Sequence, residues 1–209
     1  MSEHLRYAGA GPERQRQALE QIIRAQPVLM TVLQGLRELA LPDHLLVAGA
    51  IYNTVWNHLT GRPALNGVKD IDVFYFDAAD LSWDAEDVVI KALERRFAEL
   101  PLPVEARNQA RVHLWFPQKF GGSFAPLTSS REMLGRYASK THAVAARLEA
   151  DLSMTIEAPF GLDDLFSFRM VPNPVLDNRA SHTAKGARAK AIWPELAVVP
   201  WPDAMPDPA

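Results

Sequence analysis

Val68-Lys69-Asp70-Ile71-Asp72-Val73-Phe74-Tyr75-Phe76 carries the most informative pattern in the chain. Two carboxylates, one residue apart, stand at the front of a run of β-branched and aromatic side chains, which is the composition of a strand. Residues i and i+2 of a strand project from one face, so Asp70 and Asp72 lie side by side. Like charges placed so closely repel, and something must offset the repulsion. A divalent cation is the commonest offset, because carboxylate oxygens are hard ligands that suit Mg²⁺ or Mn²⁺. The alternative is a strand end whose two aspartates face water.

Upstream of this stretch, His44-Leu45-Leu46-Val47-Ala48-Gly49-Ala50 is a short apolar run ending in small residues. Ile51 to Leu59 then reads as a helix, so the order is strand, tight turn, helix. A small-residue turn at a helix N-terminus leaves backbone N–H groups free at the positive end of the helix dipole, a place for a phosphate. A glycine that merely ends the strand is the competing reading of Gly49. Gly61-Arg62-Pro63 closes the helix, and a polar loop leads to Asp70. Before all of this, two apolar stripes (Leu19, Ile22, Ile23; then Val28 to Leu39) separated by Pro27 predict a pair of packing helices without chemistry.

Downstream, Ser82 or Asp84 caps an amphipathic helix carrying Val88, Val89, Ala92, Leu93 and Phe97, which Pro101 and Pro103 terminate. Val104 to Arg107 reads as a short strand, and the alternation of Ala110, Val112, Leu114 and Phe116 predicts another. A loop at Gly121-Gly122 leads to a short helix over 130–138, capped by Ser129 or Ser130. Residues 142–149 and 154–158 suggest a hairpin, and Leu162 to Met170 a short helix. Asn178 to Trp193 is a basic helix or loop with Arg179, Lys185, Arg188 and Lys190. That segment is read either as a solvated face or as a contact for nucleic acid or a phosphorylated acceptor. The segment from Pro194 onward carries five prolines and is expected to be extended or frayed.

Composition narrows the class. With 209 residues, 48% hydrophobic and 22% charged, the chain is sized for a single domain with its own core. The expected division is N-terminal helices over 12–40, a core over 41–170, and a C-terminal basic segment and Pro-rich tail over 171–209. A net charge of −3 creates no global positive field of the kind that marks a nucleic-acid binder. The absence of cysteine excludes disulfides, thiolate zinc sites and cysteine nucleophiles. The polar N-terminus and the lack of a long apolar run point to a soluble, cytoplasmic protein without a membrane partner.

The order of strand, small-residue turn, helix, loop, Asp-x-Asp strand and later acidic strand resembles the DNA polymerase β-like nucleotidyltransferase superfamily. A nearer resemblance is to a family of bacterial nucleotidyltransferase-like proteins of this length and of unknown function. It is carried by Ala48 to Trp56, Val68 to Asp77, Asn108 to Trp115, Ala158 to Phe166 and Ala191 to Pro194. The resemblance implies an α+β nucleotidyltransferase fold, a mixed sheet flanked by helices with extra C-terminal elements. It also implies metal-dependent transfer of a nucleoside monophosphate from an NTP to an unknown acceptor, whether small molecule, RNA or protein, by a two-metal mechanism.

In the resemblance, Asp70, Asp72 and Glu105 are the catalytic and metal-holding carboxylates, and Mg²⁺ (or Mn²⁺) is the cofactor. The turn at Gly49 and Ala50, with Asn53 one helical turn on, meets the nucleotide's phosphates. Ala50 stands where the superfamily usually has Gly or Ser, and the spacing from Gly49 to Asp70 is longer than usual. Arg107 and Arg111 either meet substrate phosphate, which a guanidinium fork suits, or pair with surface acids. Asn108 and Gln109 contact the acceptor or close a turn. Lys69 is expected to face solvent, and His113 to be a strand histidine.

Two other functional classes fit part of the pattern. A catalytically degenerate member of the fold, binding nucleotide, RNA or a protein partner without turnover, is suggested by Ala50. A haloacid-dehalogenase-type phosphatase or a sugar-nucleotide glycosyltransferase also uses Asp-x-Asp. The phosphatase expects the pair near the N-terminus with Thr or Ser soon after, whereas Val73-Phe74-Tyr75-Phe76 follows here.

Overall fold

The computed structural model describes residues 2–203. After a single 3₁₀ turn, helices α1 (Pro12–Arg24) and α2 (Pro27–Leu39) each open on a proline, the residue whose missing N–H is no loss at a helix start. They are followed by β1 (Leu45–Val47), α3 (Gly49–Thr60), β2 (Ile71–Tyr75), α4 (Trp83–Arg96) and β3 (Val104–Asn108). Then come α5 (Val112–Phe120), α6 (Ser130–Leu134), β4 (Ala145–Leu148), β5 (Met154–Glu157) and α7 (Asp163–Phe166). The chain closes with β6 (Arg169–Met170), α8 (Arg179–Ile192) and β7 (Ala197–Val198).

Five strands form one mixed sheet in the order β3-β2-β1-β4-β5, parallel between β2 and β3 and antiparallel elsewhere. The fold is therefore α+β, a mixed sheet flanked by helices. Strand alternation sorts the two faces. Leu46, Ile71, Val73, Tyr75, Val104, Ala106 and Ala146 join the main core with α1, α2, α3 and α4. Leu45, Val47, Phe74 and Ala145 turn to the opposite face, where α6 and Tyr137 cover them. β6 and β7 form a separate two-stranded parallel pair beside α8.

Several expectations hold in detail. Ser82 Oγ accepts from Ala85 N–H at 3.2 Å and Ser129 Oγ from Glu132 N–H at 3.2 Å, so the serines cap α4 and α6. The hairpin is β4–β5, and the basic segment is a helix.

The strand expected over 110–116 is instead a 3₁₀ turn at Gln109–Arg111 followed by α5. Asn108 ends β3: its Oδ1 accepts from Ala110 N–H at 3.1 Å and from Asp77 N–H at 3.0 Å, turning the chain out of the sheet. Val112, Trp115 and Phe116 then share one helical face and pack around Phe124 and Leu127, while Leu114 is exposed. The tail is also less free than expected. Ala197–Val198 pairs with β6, and Trp201 is buried edge-on against His182. Residues 204–209, part of the Pro-rich tail, lie outside the described residues. Among the described residues no helix is long and apolar enough to cross a membrane.

Candidate active site

Burial of Ile71, Val73 and Tyr75 against the helices leaves Asp72, and Asp70 just ahead of the strand, on the other face. The parallel partner brings a third acid to that face, because Asp72 stands in register with Glu105 and Phe74 with Arg107. The β1–α3 turn lies next to them. Ala48 adopts φ 51°, ψ −104°, a conformation that strains a side-chain-bearing residue by about 1–3 kcal/mol. Its N–H donates to Val144 O at 2.9 Å, and its carbonyl accepts from Ile51 and Tyr52 N–H at 2.9 and 3.0 Å. The amides of Gly49 and Ala50, ahead of the first helical bonds, have no intrahelical acceptor. A Cβ built on Gly49 would find nothing nearer than the Tyr52 hydroxyl at 3.9 Å, so the space over the turn is open.

The turn and the two aspartates border a cleft of about 540 Å³, a volume typical of small-molecule sites. Tyr52, Tyr137, His142 and Trp193 line its aromatic side, and Lys185 and Arg188 of α8 line another wall. Tyr52 stacks on His142 with ring centroids 4.1 Å apart and planes at 12°. Burial, then the charges of Asp70 and Asp72's other neighbour Glu105, push the Asp72 carboxyl up to about 6, with Lys185 and Arg107 opposing the rise. Burial and the Asp72 charge also hold the Tyr52 and Tyr137 hydroxyls protonated. Burial, reinforced by Lys185 and His182, takes His142 well below the usual histidine range, so its imidazole is neutral. Its Nε2 is buried without a hydrogen-bond partner among the described residues. Burial lowers the Lys185 ammonium, partly offset by Asp72.

The residues expected at the site divide into three groups. Gly49, Asn53, Asp70 and Asp72 border the cleft, as does the exposed Lys69. The Asn53 amide is engaged within the protein, donating to Gly67 O at 3.2 Å and so bracing the loop that delivers Asp70. Ala50 offers only its backbone, since its methyl is fully buried in the core.

Glu105 and Arg107 pair with each other at 3.1 Å and border a groove of about 660 Å³ beneath α4. Arg111 is outside the cleft: it forms an ion pair with buried Glu86, donates to Leu81 O at 2.9 Å and packs over Trp83. Asn108 and Gln109 serve the turn after β3, and His113 lies on α5 rather than a strand.

Sequence reasoning assigns no site role to Tyr52, Tyr137, His142 or Trp193, and takes the α8 cations with their helix as a whole. One signal was present: Lys185, Arg188, Ala189 and Ile192 fall at helical spacing, and all four line the cleft.

Among the described residues no group of three or more His, Cys, Asp or Glu is arranged to hold a metal ion. Mg²⁺ commonly takes only one or two protein carboxylates and completes its shell with substrate phosphates and water. Asp70 and Asp72 offer that hard-oxygen pair, and the like-charge repulsion on Asp72 is what a bound cation would relieve.

Residues 34–198 match a family model described as nucleotidyltransferase. No curated protein matches the chain. Among solved structures, one determined by NMR and described as revealing a CCA-adding enzyme head domain aligns with a TM-score of 0.72 and 28% identity. The alignment covers 88% of this chain and 96% of that one. A second, described as a tRNA-processing enzyme complex, aligns with a TM-score of 0.47 and 21% identity over 80% of this chain and 43% of that one.

Proposed function

Because the chain belongs to the nucleotidyltransferase family, we propose that its cleft binds an NTP with Mg²⁺ or Mn²⁺ and transfers the nucleoside monophosphate to an acceptor hydroxyl. The observation that carries this reading is one juxtaposition. The free amides at the start of α3 and the unpaired carboxylates of Asp70 and Asp72 border the same cleft. Amide donors at a helix N-terminus suit phosphate oxygens, and adjacent carboxylates suit the cation that accompanies them.

In the proposed reaction the acceptor oxygen attacks the α-phosphorus. The bond from that phosphorus to the bridging oxygen breaks, and pyrophosphate leaves. The acceptor's proton passes to the carboxylate group or to water. Asp70 and Asp72 would hold the cation that accompanies the triphosphate, and Glu105, beside Asp72 on β3, completes the acidic face once its side chain leaves Arg107. Bound divalent ions would supply activation of the acceptor hydroxyl and neutralisation of the pyrophosphate charge in a two-metal arrangement. The Gly49 and Ala50 amides orient the phosphates, and the aromatic wall sheds water from the rest of the nucleotide. The likeness to a CCA-adding enzyme head domain supports nucleotidyl transfer as the chemistry; the acceptor is a small molecule, RNA or protein.

A second reading is favoured by the Glu105–Arg107 pair, which engages the third carboxylate with a cation of its own strand. In that reading the cleft binds nucleotide without turnover. Calorimetric titration of each NTP with Mg²⁺ or Mn²⁺ into wild type and Asp70→Asn/Asp72→Asn tests the site. Metal-dependent binding lost in the double variant is expected, and its absence from wild type would remove both readings. Pyrophosphate release in an acceptor screen separates the enzyme from the binding protein.

A further inference from the structure

α8 carries four cations, and the structure divides them into two pairs. Arg179 donates to Pro202 O at 3.2 Å, and Lys190 Nζ donates to Pro194 O at 2.7 Å and Leu196 O at 2.5 Å, so both tie the C-terminal segment to its helix. Lys185 and Arg188 do neither. They stand three residues apart on the cleft face of α8 and, among the described residues, have no carboxylate within ion-pair distance. Asp70 and Asp72 border the same cleft and are likewise unpaired. Lys185 and Arg188 on one wall, and Asp70 and Asp72 beside the exposed Lys69 on another, thus face one space of about 540 Å³ without forming an ion pair.

The helix that presents the cations is fixed in place. Gly186, between them, is buried where a Cβ would come 2.7 Å from Val198 Cγ1, so α8 lies backbone-close to β7. His182, one turn earlier, is held at both ring nitrogens, by Ser139 Oγ at 2.7 Å and by Val199 O at 2.8 Å. Trp193 anchors the other end through its Nε1–H to Asn57 Oδ1 at 3.0 Å. Long basic side chains on a mobile helix would be ordinary solvated charge. Here they are carried by a clamped helix and aimed at a cleft that Asp70 and Asp72 also border, with Lys69 exposed beside them.

We propose that Lys185 and Arg188 are the polyphosphate-binding residues of the cleft, gripping the β- and γ-phosphates of the NTP while its α-phosphate lies at the Asp70–Asp72 side. A polyphosphate–metal complex satisfies both halves at once: phosphate oxygens accept from the ammonium and the guanidinium, and the cation meets the carboxylates. The consequence is selectivity by phosphate number. A triphosphate spans the cleft from aspartates to α8, whereas a monophosphate at the aspartates leaves the α8 cations without a partner. This assignment rests on the NTP reading above for its substrate, and its test separates the two.

The test compares wild type, Lys185→Gln, Arg188→Gln, the double variant and Arg14→Gln, a control that removes an exposed charge on α1. Each is titrated with MgATP, with AMP in the presence of Mg²⁺, and with inorganic tripolyphosphate. Charge-assisted hydrogen bonds lead us to expect each single variant to lose about tenfold or more in MgATP affinity. AMP affinity should change by less than about threefold, and Lys185→Arg should recover most of the loss. Variants that bind MgATP and AMP in the wild-type ratio would overturn the proposal, leaving the cations to offset Asp70 and Asp72 only; circular dichroism and melting temperature confirm that each variant is folded. If wild type binds no NTP, the functional reading fails by itself. Tripolyphosphate then decides the α8 assignment: binding lost in the double variant upholds it, and no binding in wild type overturns it.

Discussion

Replacing Asp72 by Asn should make the protein more stable at neutral pH, although it removes a residue at the centre of the site. Asp72 is moved from its ordinary 3.8 up to about 6 by burial and by the charges of Asp70 and Glu105. That displacement disfavours the ionised folded state by about 3 kcal/mol. The sign follows from linkage: the folded chain holds this proton more tightly than the unfolded chain, so the group's contribution falls as pH rises from 3.8 through about 6. Above that window the full loss applies; below it the carboxyl is protonated in both states and the loss vanishes.

Asn keeps the shape without the charge, so Asp72→Asn should gain about 3 kcal/mol over wild type near pH 7.5, shrinking to about 1 kcal/mol near pH 4.5. For a domain of this size, the gain at the higher pH corresponds to about 6–12 °C in melting temperature. Differential scanning calorimetry of both proteins at the two pH values measures it. Lys185 and Arg107 oppose the rise without cancelling it. Equal melting temperatures near pH 7.5, or a gap independent of pH, would refute the reasoning. A functional signature accompanies the gain, because MgATP should raise the melting temperature of wild type and not of Asp72→Asn.

Three other outcomes are expected. Gly49→Val places methyl groups over the open turn whose nearest neighbour is the Tyr52 hydroxyl; stability should change by less than about 1 kcal/mol, while calorimetry shows NTP affinity reduced about tenfold or more as the amides are covered. Arg111→Met strands the buried Glu86 carboxylate, so denaturant unfolding should show a loss of about 3–5 kcal/mol, with NTP affinity of the folded protein unchanged because Arg111 is outside the cleft. Gly186→Ala forces α8 away from Val198, costing about 1–3 kcal/mol in the same unfolding assay. It should also weaken MgATP more than AMP, because the shifted helix carries Lys185 and Arg188.

The sheet was legible from the alternation in β2. Ile71, Val73 and Tyr75 alternate with Asp72 and Phe74, so one register sends the first three to the main core and Asp72 to the opposite face, where Phe74 is covered by α6 and Tyr137. The acidic face follows from the same alternation, and Glu105 arrives opposite Asp72 through the parallel register. Residues 110–116 misled because their period of two conceals a helical face: Val112, Trp115 and Phe116 satisfy a spacing of three and four as well. The turn made by Asn108 decided between the two. Arg111 was ambiguous for a different reason. A guanidinium's partner is set by tertiary contact, and Glu86, twenty-odd residues upstream on α4, is visible as a partner only once α4 lies across β3.

The aromatic and cationic walls of the cleft depend on long-range packing of a more specific kind, and Asn57 shows how. This fully buried side chain donates to Ala64 O at 3.0 Å and Asn66 O at 2.8 Å, and its Oδ1 accepts from Trp193 Nε1. One amide therefore connects α3, the loop that delivers Asp70, and the C-terminal end of α8. Gly67, at φ +76°, completes the joint, since a Cβ there would come 2.8 Å from Ile192 Cδ1 and 2.9 Å from Trp193 Cη2. The long spacing from Gly49 to Asp70 is accommodated by this pinned loop, which brings α8 close enough to serve as a wall. Nothing in Asn57 itself marks it as part of a site, because it touches no cleft surface. A buried amide that ties its own helix to two other segments sets distances between groups it never meets, and here those groups are the Asp70 and Asp72 carboxylates and the cations of α8.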